Sequence, residues 1–328
     1  MMERSAELAA FLRQAGQDPA TLRLLAGDAS NRRYHRLSGA QPLVVMDAPP
    51  EAGEDIRPFA AVTHWLRDLG LSAPRIHAAD PERGFLLLED LGDDLYARVC
   101  ARSPEREAPL YDAAIALLSR LAEAGAPENF PGPWPARPYD TDAYLTEARL
   151  LTDWYLPGTG AAVSPNLAAE YDALITGAMA ELAETHVIVV LRDYHAENLL
   201  WLPKRAGDAR VGLLDYQDAL IGHPAYDLVS LLEDARRDTA PDLQDAMIRK
   251  YLTLTGADVA RFRAAYAAIG AQRNLKIIGI FARLSLRDGK QRYPALIPRV
   301  WRHLQGNLAH PALADLASWV ARHVPAPE

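Results

Sequence analysis

The strongest constraint on the fold is the order of helix and strand patterns in the first 92 residues. Helices are predicted over residues 5–13 and 57–69, where apolar residues recur at helical spacing. Short strand patterns bounded by turn-forming residues are predicted at 21–26, 33–37, 43–47, 74–77 and 85–89. The order is helix, three strands, helix, two strands. It predicts a five-stranded antiparallel sheet that carries one central helix.

Beyond Gly92 the pattern becomes mainly helical. Helices are predicted over residues 107–124, 139–154, 167–185, 226–236, 242–254 and 259–287. The convincing strands in this part are short, at 187–190 and 211–214, and we expect them to lie back to back. The sequence therefore predicts an α+β fold with two lobes. Residues 1–92 form a small N-terminal lobe, and residues 93–328 form a larger helical C-terminal lobe.

Composition excludes several classes of protein. The 43 acidic residues exceed the 35 basic ones and give a net charge of −8, which argues against a protein whose main task is to wrap nucleic acid. The single cysteine, Cys100, excludes an intramolecular disulfide framework and a cysteine-rich zinc site. The longest aliphatic run, residues 187–191, is far too short to span a membrane, and the N-terminus does not resemble a signal peptide. We expect a cytoplasmic protein without a membrane or nucleic-acid partner.

The polar loop after the strand at 187–190 carries the strongest chemical signal. Asp193 and Asn198 lie five positions apart in it, and Asp215 ends the next predicted strand. In phosphoryl transfer one carboxylate orients and deprotonates the accepting hydroxyl, while an amide and a second carboxylate hold Mg²⁺ against the nucleotide phosphates. An Asp and an Asn at this spacing are also common in solvated loops, but the strands around them favour a site. Asp218 either reaches the metal or braces the loop.

This pattern resembles the aminoglycoside and small-molecule phosphotransferase family, which has a protein-kinase-like fold. The resemblance implies ATP and Mg²⁺ as cofactors, Asp193 as the catalytic base, and Asn198 and Asp215 as metal ligands. Residues 86–93 are similar to the segment that joins the two lobes in these kinases. There the backbone of Glu89 and Leu91 would bind the adenine edge.

Four further segments resemble one subgroup of this family. They are residues 28–34, 46–51, 153–156 and 272–276. The subgroup phosphorylates the anomeric (C1) hydroxyl of N-acetylmuramate and N-acetylglucosamine in cell-wall recycling. The resemblance implies a sugar kinase with a small amino sugar as its substrate. An aminoglycoside or another small alcohol is the alternative acceptor.

The sequence departs from a kinase at the third strand. Met46 stands where a lysine normally contacts the nucleotide phosphates, and the following helix lacks the acid that would pair with that lysine. This departure suggests a second alternative, a non-catalytic nucleotide-binding module. Another cation must otherwise offset the phosphate charge. The candidates for nucleotide binding in the first hairpin are Ser30, Asn31, Arg32 and Arg33, although both arginines would also suit a solvated turn.

The candidates for sugar binding are Arg192, His195, Asp153, Trp154 and Arg273. His195 either contacts the sugar or holds the shape of the loop, and Trp154 either stacks on a sugar face or packs in the core. Arg273 lies on the long C-terminal helix, where a cation would suit the carboxylate of N-acetylmuramate. Asp227 is expected to brace the catalytic loop through backbone donors.

Overall fold

The computed structural model describes residues 2–27, 31–39, 42–183 and 188–327. The helices are α1 (Met2–Gln14), α2 (Arg57–Asp68), α3 (Tyr96–Arg102), α4 (Glu107–Ala124), α5 (Thr141–Ala148), α6 (Leu156–Gly158), α7 (Pro165–Ala183), α8 (Ala225–Leu232), α9 (Pro241–Thr255), α10 (Val259–Leu286), α11 (Ile297–Leu308) and α12 (Ala314–His323).

The strands are β1 (Leu22–Gly27), β2 (Arg33–Leu37), β3 (Leu43–Asp47), β4 (Ile76–Asp80), β5 (Phe85–Glu89), β6 (Asn129–Phe130), β7 (Trp134–Pro135), β8 (Ile188–Val190), β9 (Leu199–Trp201), β10 (Val211–Leu213) and β11 (Leu220–Gly222). A π-helical turn, Leu151–Tyr155, precedes α6.

The chain forms two compact units. Unit 1 comprises Met1–Ala113, Pro127–Ala136 and Glu197–Ala219, and unit 2 comprises Ala114–Ala126, Arg137–Ala196 and Leu220–Glu328. Each compact unit thus consists of three segments of the chain, whereas the sequence predicts two lobes that are separated once, after Gly92. That boundary, which concerns the nucleotide-binding and catalytic lobes, stays a prediction.

Unit 1 is built on the antiparallel sheet that the sequence predicts. Its five strands lie in the order β1-β2-β3-β5-β4, and each neighbouring pair is antiparallel. The strand predicted at 74–77 is displaced, because β4 runs from Ile76 to Asp80 and pairs with β5 across an irregularity between Ile76 and Ala78. Pairing with the apolar β5 therefore determines where β4 begins and ends more than the residues of β4 do.

The two faces of this sheet have different uses. Successive side chains of a strand point to opposite faces, so Leu43 and Val45 share one face of β3 and Val44 lies on the other. Leu43 and Val45 pack in a core with Leu12 and other apolar residues of α1. Val44 instead lines a pocket together with Leu88 of β5. One face of the sheet is thus closed by α1, and the other is open to a ligand.

A short hairpin completes the part of unit 1 that matters for the site. β9 pairs with β10 in antiparallel register, and Leu213 donates its N–H to Ser72 O at 3.0 Å. The buried Tyr216 hydroxyl lies 2.7 Å from Thr63 Oγ1 of α2, and its ring stacks on Phe59. These contacts fix the segment that follows β10 against α2.

Unit 2 is mainly helical, and its centre is the 28-residue helix α10. α10 packs against α11, α8, α5 and the π-helical turn. The helix predicted over 139–154 is shorter than expected: Asp140 caps α5 by accepting from Ala143 N at 2.8 Å, and α5 ends at Ala148 before the π-helical turn. Among the described residues, no helix is long and apolar enough to cross a membrane.

The two short strands expected to lie back to back each have another partner. β8 pairs with β11 in unit 2, and β10 pairs with β9 in unit 1. The strand predicted from Val187 begins at Ile188 in the described chain, and Val187 lies outside the described residues. β9 and β11 have three residues each, too few for a period-two pattern to reveal them.

Candidate active site

A pocket of about 320 Å³ lies within unit 1 on the open face of the sheet. Apolar side chains, including Val44, Leu88 and Leu200, form part of its wall. Glu89 and Leu91, the residues predicted to bind adenine, line it, and so do Asn198 and Asp215. The structure therefore brings the segment predicted to bind adenine and the predicted metal ligands to one pocket.

Two arginines, Arg36 and Arg98, are among the described residues that line this pocket. Arg36 of β2 forms salt bridges to Asp90 at 2.7 Å and to Asp93 at 2.9 Å, both in the segment that follows β5. Arg98 on α3 also lines the pocket and is exposed. Arg36 thus ties the sheet to residues 90–93 and fixes the wall beside Glu89 and Leu91.

Asn198 and Asp215 are held together by the β9–β10 hairpin. Leu214 donates its N–H to Asn198 O at 3.0 Å, and Asn198 Nδ2 lies 3.4 Å from Asp215 Oδ2. Gln217 Nε2 donates to Asp215 Oδ1 at 2.9 Å. An amide oxygen and a carboxylate are hard donors of the type that Mg²⁺ takes from proteins when nucleotide phosphates and water complete its coordination. These residues fit such an ion.

Asp215 also has an unusual backbone conformation. Its φ is 59°, in the left-handed region that non-glycine residues seldom adopt. Such conformations cost on the order of 1 kcal/mol or more and persist where the surrounding structure fixes them, often at functional sites. The packing of the neighbouring Tyr216 against α2 supplies that constraint.

Arg32 is held by an acid that the sequence analysis missed. Arg32 Nε donates to Glu54 Oε2 at 2.6 Å, and Asn31 N donates to Glu54 Oε1 at 3.1 Å. Burial alone would lower the pKa of Arg32, but the Glu54 carboxylate outweighs burial and raises it, with a further contribution from Asp218. Glu54 lies three residues before α2, so a search for an acid on the helix itself does not find it. Met46, at the position of the missing lysine, is buried in β3.

The other hairpin candidates differ in their surroundings. Arg33, the first residue of β2, is exposed. Asn31 Nδ2 donates to Ala52 O at 3.2 Å, so its side chain joins the hairpin to the segment before α2. Ser30 lies outside the described residues.

In unit 2 the loop with Asp193 is braced as the sequence predicts. Asp227, buried on α8, accepts from Leu191 N at 2.6 Å and from Arg192 N at 2.8 Å. Burial raises the pKa of Asp227 to about 7, while the two amide donors favour its charged form. The bracing role of Asp227 is confirmed. Arg192, directly before Asp193, has a φ of 70°, again in the left-handed region.

Glu147 joins two cations beneath this loop. Its carboxylate accepts from Arg192 Nη2 and lies 2.8 Å from Lys276 Nζ of α10, and the Tyr139 hydroxyl also donates to it. Burial by itself raises the pKa of Glu147, but Lys276 and Arg192 outweigh burial and hold it below the usual value. Arg192 therefore fixes the backbone before Asp193, and its side chain pairs with a partly buried acid, Glu147.

A second, smaller cavity of about 100 Å³ lies in unit 2 with Asp193 in its wall. The loop supplies Asp193 and His195, α10 supplies Arg273 and Lys276, and the turn after α8 supplies Asp234 and Arg236. The rest of the lining that the structure describes consists of Ser230, Ala235, Ile277, Ile280 and Phe281. A small molecule in this cavity would lie beside Asp193.

His195 is neutral in this cavity at physiological pH. Burial lowers its pKa to about 3, and the residue is 5% exposed. Arg236 Nη1 lies 3.4 Å from His195 Nε2, and because a guanidinium has no lone pair, the imidazole nitrogen accepts. Arg273 of α10 is 7% exposed and donates from Nη2 to Ser230 Oγ at 2.7 Å.

Two predicted sugar-binding residues lie elsewhere. Asp153 is exposed and Trp154 is half-buried, both in the π-helical turn, and neither is among the described residues that line the cavity at Asp193. The sequence analysis did not identify Asp234 and Arg236 as residues of this cavity, because an acidic and a basic residue in a turn after a helix form no recognisable sequence pattern.

The sequence profile of the phosphotransferase enzyme family matches residues 21–265. The chain belongs to this family. The match begins before β1 and ends within α10, so it includes Asp193, Asn198 and Asp215. The predicted family is confirmed, and the chain is a phosphotransferase.

Relatives and solved structures agree with this assignment. The chain is 41% identical to a Caulobacter vibrioides protein named N-acetylmuramate/N-acetylglucosamine kinase, over 98% of this chain and 97% of the relative. A Pseudomonas aeruginosa protein of the same name is 37% identical, over 92% and 88%. A choline/ethanolamine kinase family structure from Mesorhizobium loti matches with a TM-score of 0.63 at 16% identity, over 98% of both chains. This phosphotransferase therefore has the predicted protein-kinase-like fold.

Proposed function

We propose that the chain transfers the γ-phosphoryl group of ATP to the anomeric hydroxyl of N-acetylmuramate and N-acetylglucosamine. The observation that carries the proposal is the pocket of unit 1, in which Glu89 and Leu91 lie with Asn198 and Asp215. The choice of sugar rests on two relatives named N-acetylmuramate/N-acetylglucosamine kinase, whose matches cover nearly the whole chain.

Each half of the reaction has its own residues. Glu89 and Leu91 would bind the adenine edge through their backbone, and Asn198 and Asp215 would hold Mg²⁺. The bound ion would offset the phosphate charge. Asp193, placed by the loop that Asp227 and Arg192 fix, accepts and orients the proton of the sugar hydroxyl. Because phosphoryl transfer asks mainly for positioning and electrostatic stabilisation, the rigid loop matters as much as the carboxylate.

We assign the missing phosphate-binding cation to Arg32. Glu54 holds its guanidinium, as an acid on the helix holds the lysine in a protein kinase. Asn31 and Arg33 would form the rest of the described part of the phosphate-covering hairpin. Ser30, outside the described residues, stays a predicted nucleotide-binding residue.

Replacing Arg32 and Arg33 with Ala tests this assignment. Losing a charged hydrogen bond to phosphate should raise the KM for ATP about 10- to 100-fold, with Arg32→Ala alone giving most of the effect. Arg13→Ala, on the exposed end of α1, is the matched control. An unchanged KM for ATP in the double variant would refute the assignment.

An amino sugar is favoured over an aminoglycoside by the relatives named N-acetylmuramate/N-acetylglucosamine kinase, whose matches cover 98% and 92% of this chain. A non-catalytic module would not need Asp193, Asn198 and Asp215 together. The chain has a single cysteine, Cys100, and so forms no disulfide within itself, which fits the reducing cytoplasm that we propose as the place of action.

A panel of acceptors tests the proposed function. ADP release is measured with Mg²⁺ and ATP in the presence of N-acetylmuramate, N-acetylglucosamine, kanamycin or no acceptor. We expect turnover with the two amino sugars, and a product whose phosphorus couples to the sugar H1 proton in NMR. Turnover with kanamycin alone would favour the aminoglycoside reading, and ATP binding without turnover would favour the module.

A further inference from the structure

Two buried side chains in the cavity at Asp193 each have an unused polar atom. Asp234 is 2% exposed, and its Oδ2 has no hydrogen-bond partner in the described part of the chain. Arg273 is 7% exposed, and its Nε likewise has no partner among the described residues. Buried polar atoms are nearly always satisfied by protein, water or ligand. Because both residues line the cavity, a ligand there can supply the missing partners.

Hydrogen bonds from their other polar atoms hold these two side chains in place. Asp234 Oδ1 accepts from Arg236 N at 2.8 Å in the turn after α8. On α10, Arg273 Nη2 donates to Ser230 Oγ at 2.7 Å, and the guanidinium lies 5.8 Å from the centre of the Tyr226 ring. The cavity therefore offers one fixed acceptor, Asp234 Oδ2, and one fixed donor, Arg273 Nε, from two different elements.

Apolar side chains of α10 complete this part of the cavity. Ile277 and Phe281 are buried and line the cavity together with Ile280. Ile277 lies four residues after Arg273 and hence on the same face of the helix. An acceptor, a donor and an apolar surface together match a secondary amide that carries a methyl group. Its N–H donates to a carboxylate, its carbonyl oxygen accepts from a guanidinium, and its methyl group packs against apolar carbon atoms.

We propose that Asp234 and Arg273 bind the acetamido group of the acceptor sugar and thereby select N-acetylated sugars. The N–H of this group donates to Asp234 Oδ2, and Arg273 Nε donates to its carbonyl oxygen. This inference rests on the proposed function. N-Acetylmuramate and N-acetylglucosamine both carry the group at C2, so the two residues serve both reactions. The carboxylate contact predicted for Arg273 from the sequence would serve only one of them.

Sugar binding to Asp234→Asn tests this role. Because Oδ1 is occupied by Arg236 N, the variant places an NH₂ donor at the position of Oδ2, facing the N–H donor of the ligand. The Kd of each amino sugar is measured by ligand-observed NMR titration with Mg²⁺ and a non-hydrolysable ATP analogue. Both Kd values should rise about 10- to 100-fold, as expected for the loss of a charged hydrogen bond.

The sugar 2-deoxyglucose, which has no substituent at C2, shows whether the loss is specific to the acetamido group. It should bind the wild type at least about tenfold more weakly than N-acetylglucosamine, and its Kd should change by less than about threefold in Asp234→Asn. Retained binding of 2-deoxyglucose also shows that the variant folds. If circular dichroism shows Asp234→Asn to be unfolded, Arg273→Lys takes its place, because lysine keeps the charge but lacks Nε, and the same selective loss is expected.

Asp238→Asn is the matched control. It makes the same change four residues further on, in an exposed pair with Arg299 and Arg302 that is outside the described lining of the cavity. It should leave every Kd unchanged.

Three results would overturn the inference while leaving the proposed function in place. They are an unchanged Kd for N-acetylglucosamine in Asp234→Asn, equal losses for N-acetylglucosamine and 2-deoxyglucose, and a wild-type protein that binds these two sugars equally well. A wild-type protein that releases no ADP with either amino sugar would refute the proposed function and this inference with it.

Discussion

Removing the charge of Glu147 should destabilise the protein and slow the reaction. Glu147→Gln keeps the shape of the side chain but leaves Arg192 and Lys276 together without their shared acid. Taking one partner from a buried ion pair costs about 3–5 kcal/mol. Because 16% of the Glu147 side chain is exposed, we expect the lower end, about 3 kcal/mol. The turnover number should also fall, since Arg192 fixes the backbone before Asp193.

Urea denaturation at pH 7 measures the stability effect, with the slope of the free energy of unfolding against urea as a check for two-state behaviour. Glu170→Gln is the matched control. Glu170 lies 3.5 Å from Arg322 in an exposed pair and should contribute less than about 1 kcal/mol. Adding Lys276→Met to Glu147→Gln removes one of the two unbalanced cations and should recover part of the lost stability.

Two results would refute this reasoning. One is a loss of less than about 1 kcal/mol in Glu147→Gln, which would match an exposed pair instead of a buried one. The other is a double variant no more stable than Glu147→Gln, which would mean that the two cations do not repel each other.

Two further predictions concern stability. Burial lowers the pKa of His195 from 6.5 to about 3, so the unfolded chain takes up this proton more readily and stability is lost as the pH falls below 6.5. Between pH 6.5 and 5 His195 alone should contribute about 2 kcal/mol to the loss that urea denaturation measures, so the loss should be smaller by about that amount in His195→Asn. An equal reduction by His64→Asn, at an exposed position of α2, would contradict this assignment. A side chain at Gly279 would meet the backbone of Leu150, with Leu151 N at 2.6 Å, so Gly279→Ala should cost about 1–3 kcal/mol, whereas Gly177→Ala, in open space, should not destabilise. An unchanged melting temperature in Gly279→Ala would contradict that contact.

The sheet of unit 1 could be predicted because its information is local. β2, β3 and β5 begin and end at the predicted residues, since each is an apolar run bounded by turn formers. β9 and β11 could not be predicted in the same way. They have three residues each and exist because β10 and β8 pair with them.

The residues of the candidate site also differ in whether the local sequence indicates them. Asp193, Asn198 and Asp215 follow strands in a recognisable order, and the sequence indicates them. Arg236 and Glu54 do not. Glu54 lies before a helix, and Arg236 lies 43 residues from Asp193 in the chain, so only the folded backbone brings each to its partner.

The same reasoning explains why the predicted sugar-binding residues lie in two different places. Asp153 and Trp154 were chosen from a local segment that resembles the family, but the π-helical turn places them away from the described lining of the cavity. His195 and Arg273 were chosen from residue type and spacing, and both line the cavity. Residue type identified these two, while their partners, Arg236 and Ser230, required the structure.

The most direct test of the central claim compares turnover and nucleotide binding in wild type and Asp193→Ala. ADP release with N-acetylglucosamine should fall about 100- to 10,000-fold when the residue that accepts the hydroxyl proton is lost. The Kd for ATP should stay within about threefold of wild type, because the pocket of unit 1 retains Glu89, Leu91, Asn198 and Asp215. Turnover that survives in Asp193→Ala, or nucleotide binding lost together with it, would contradict the account.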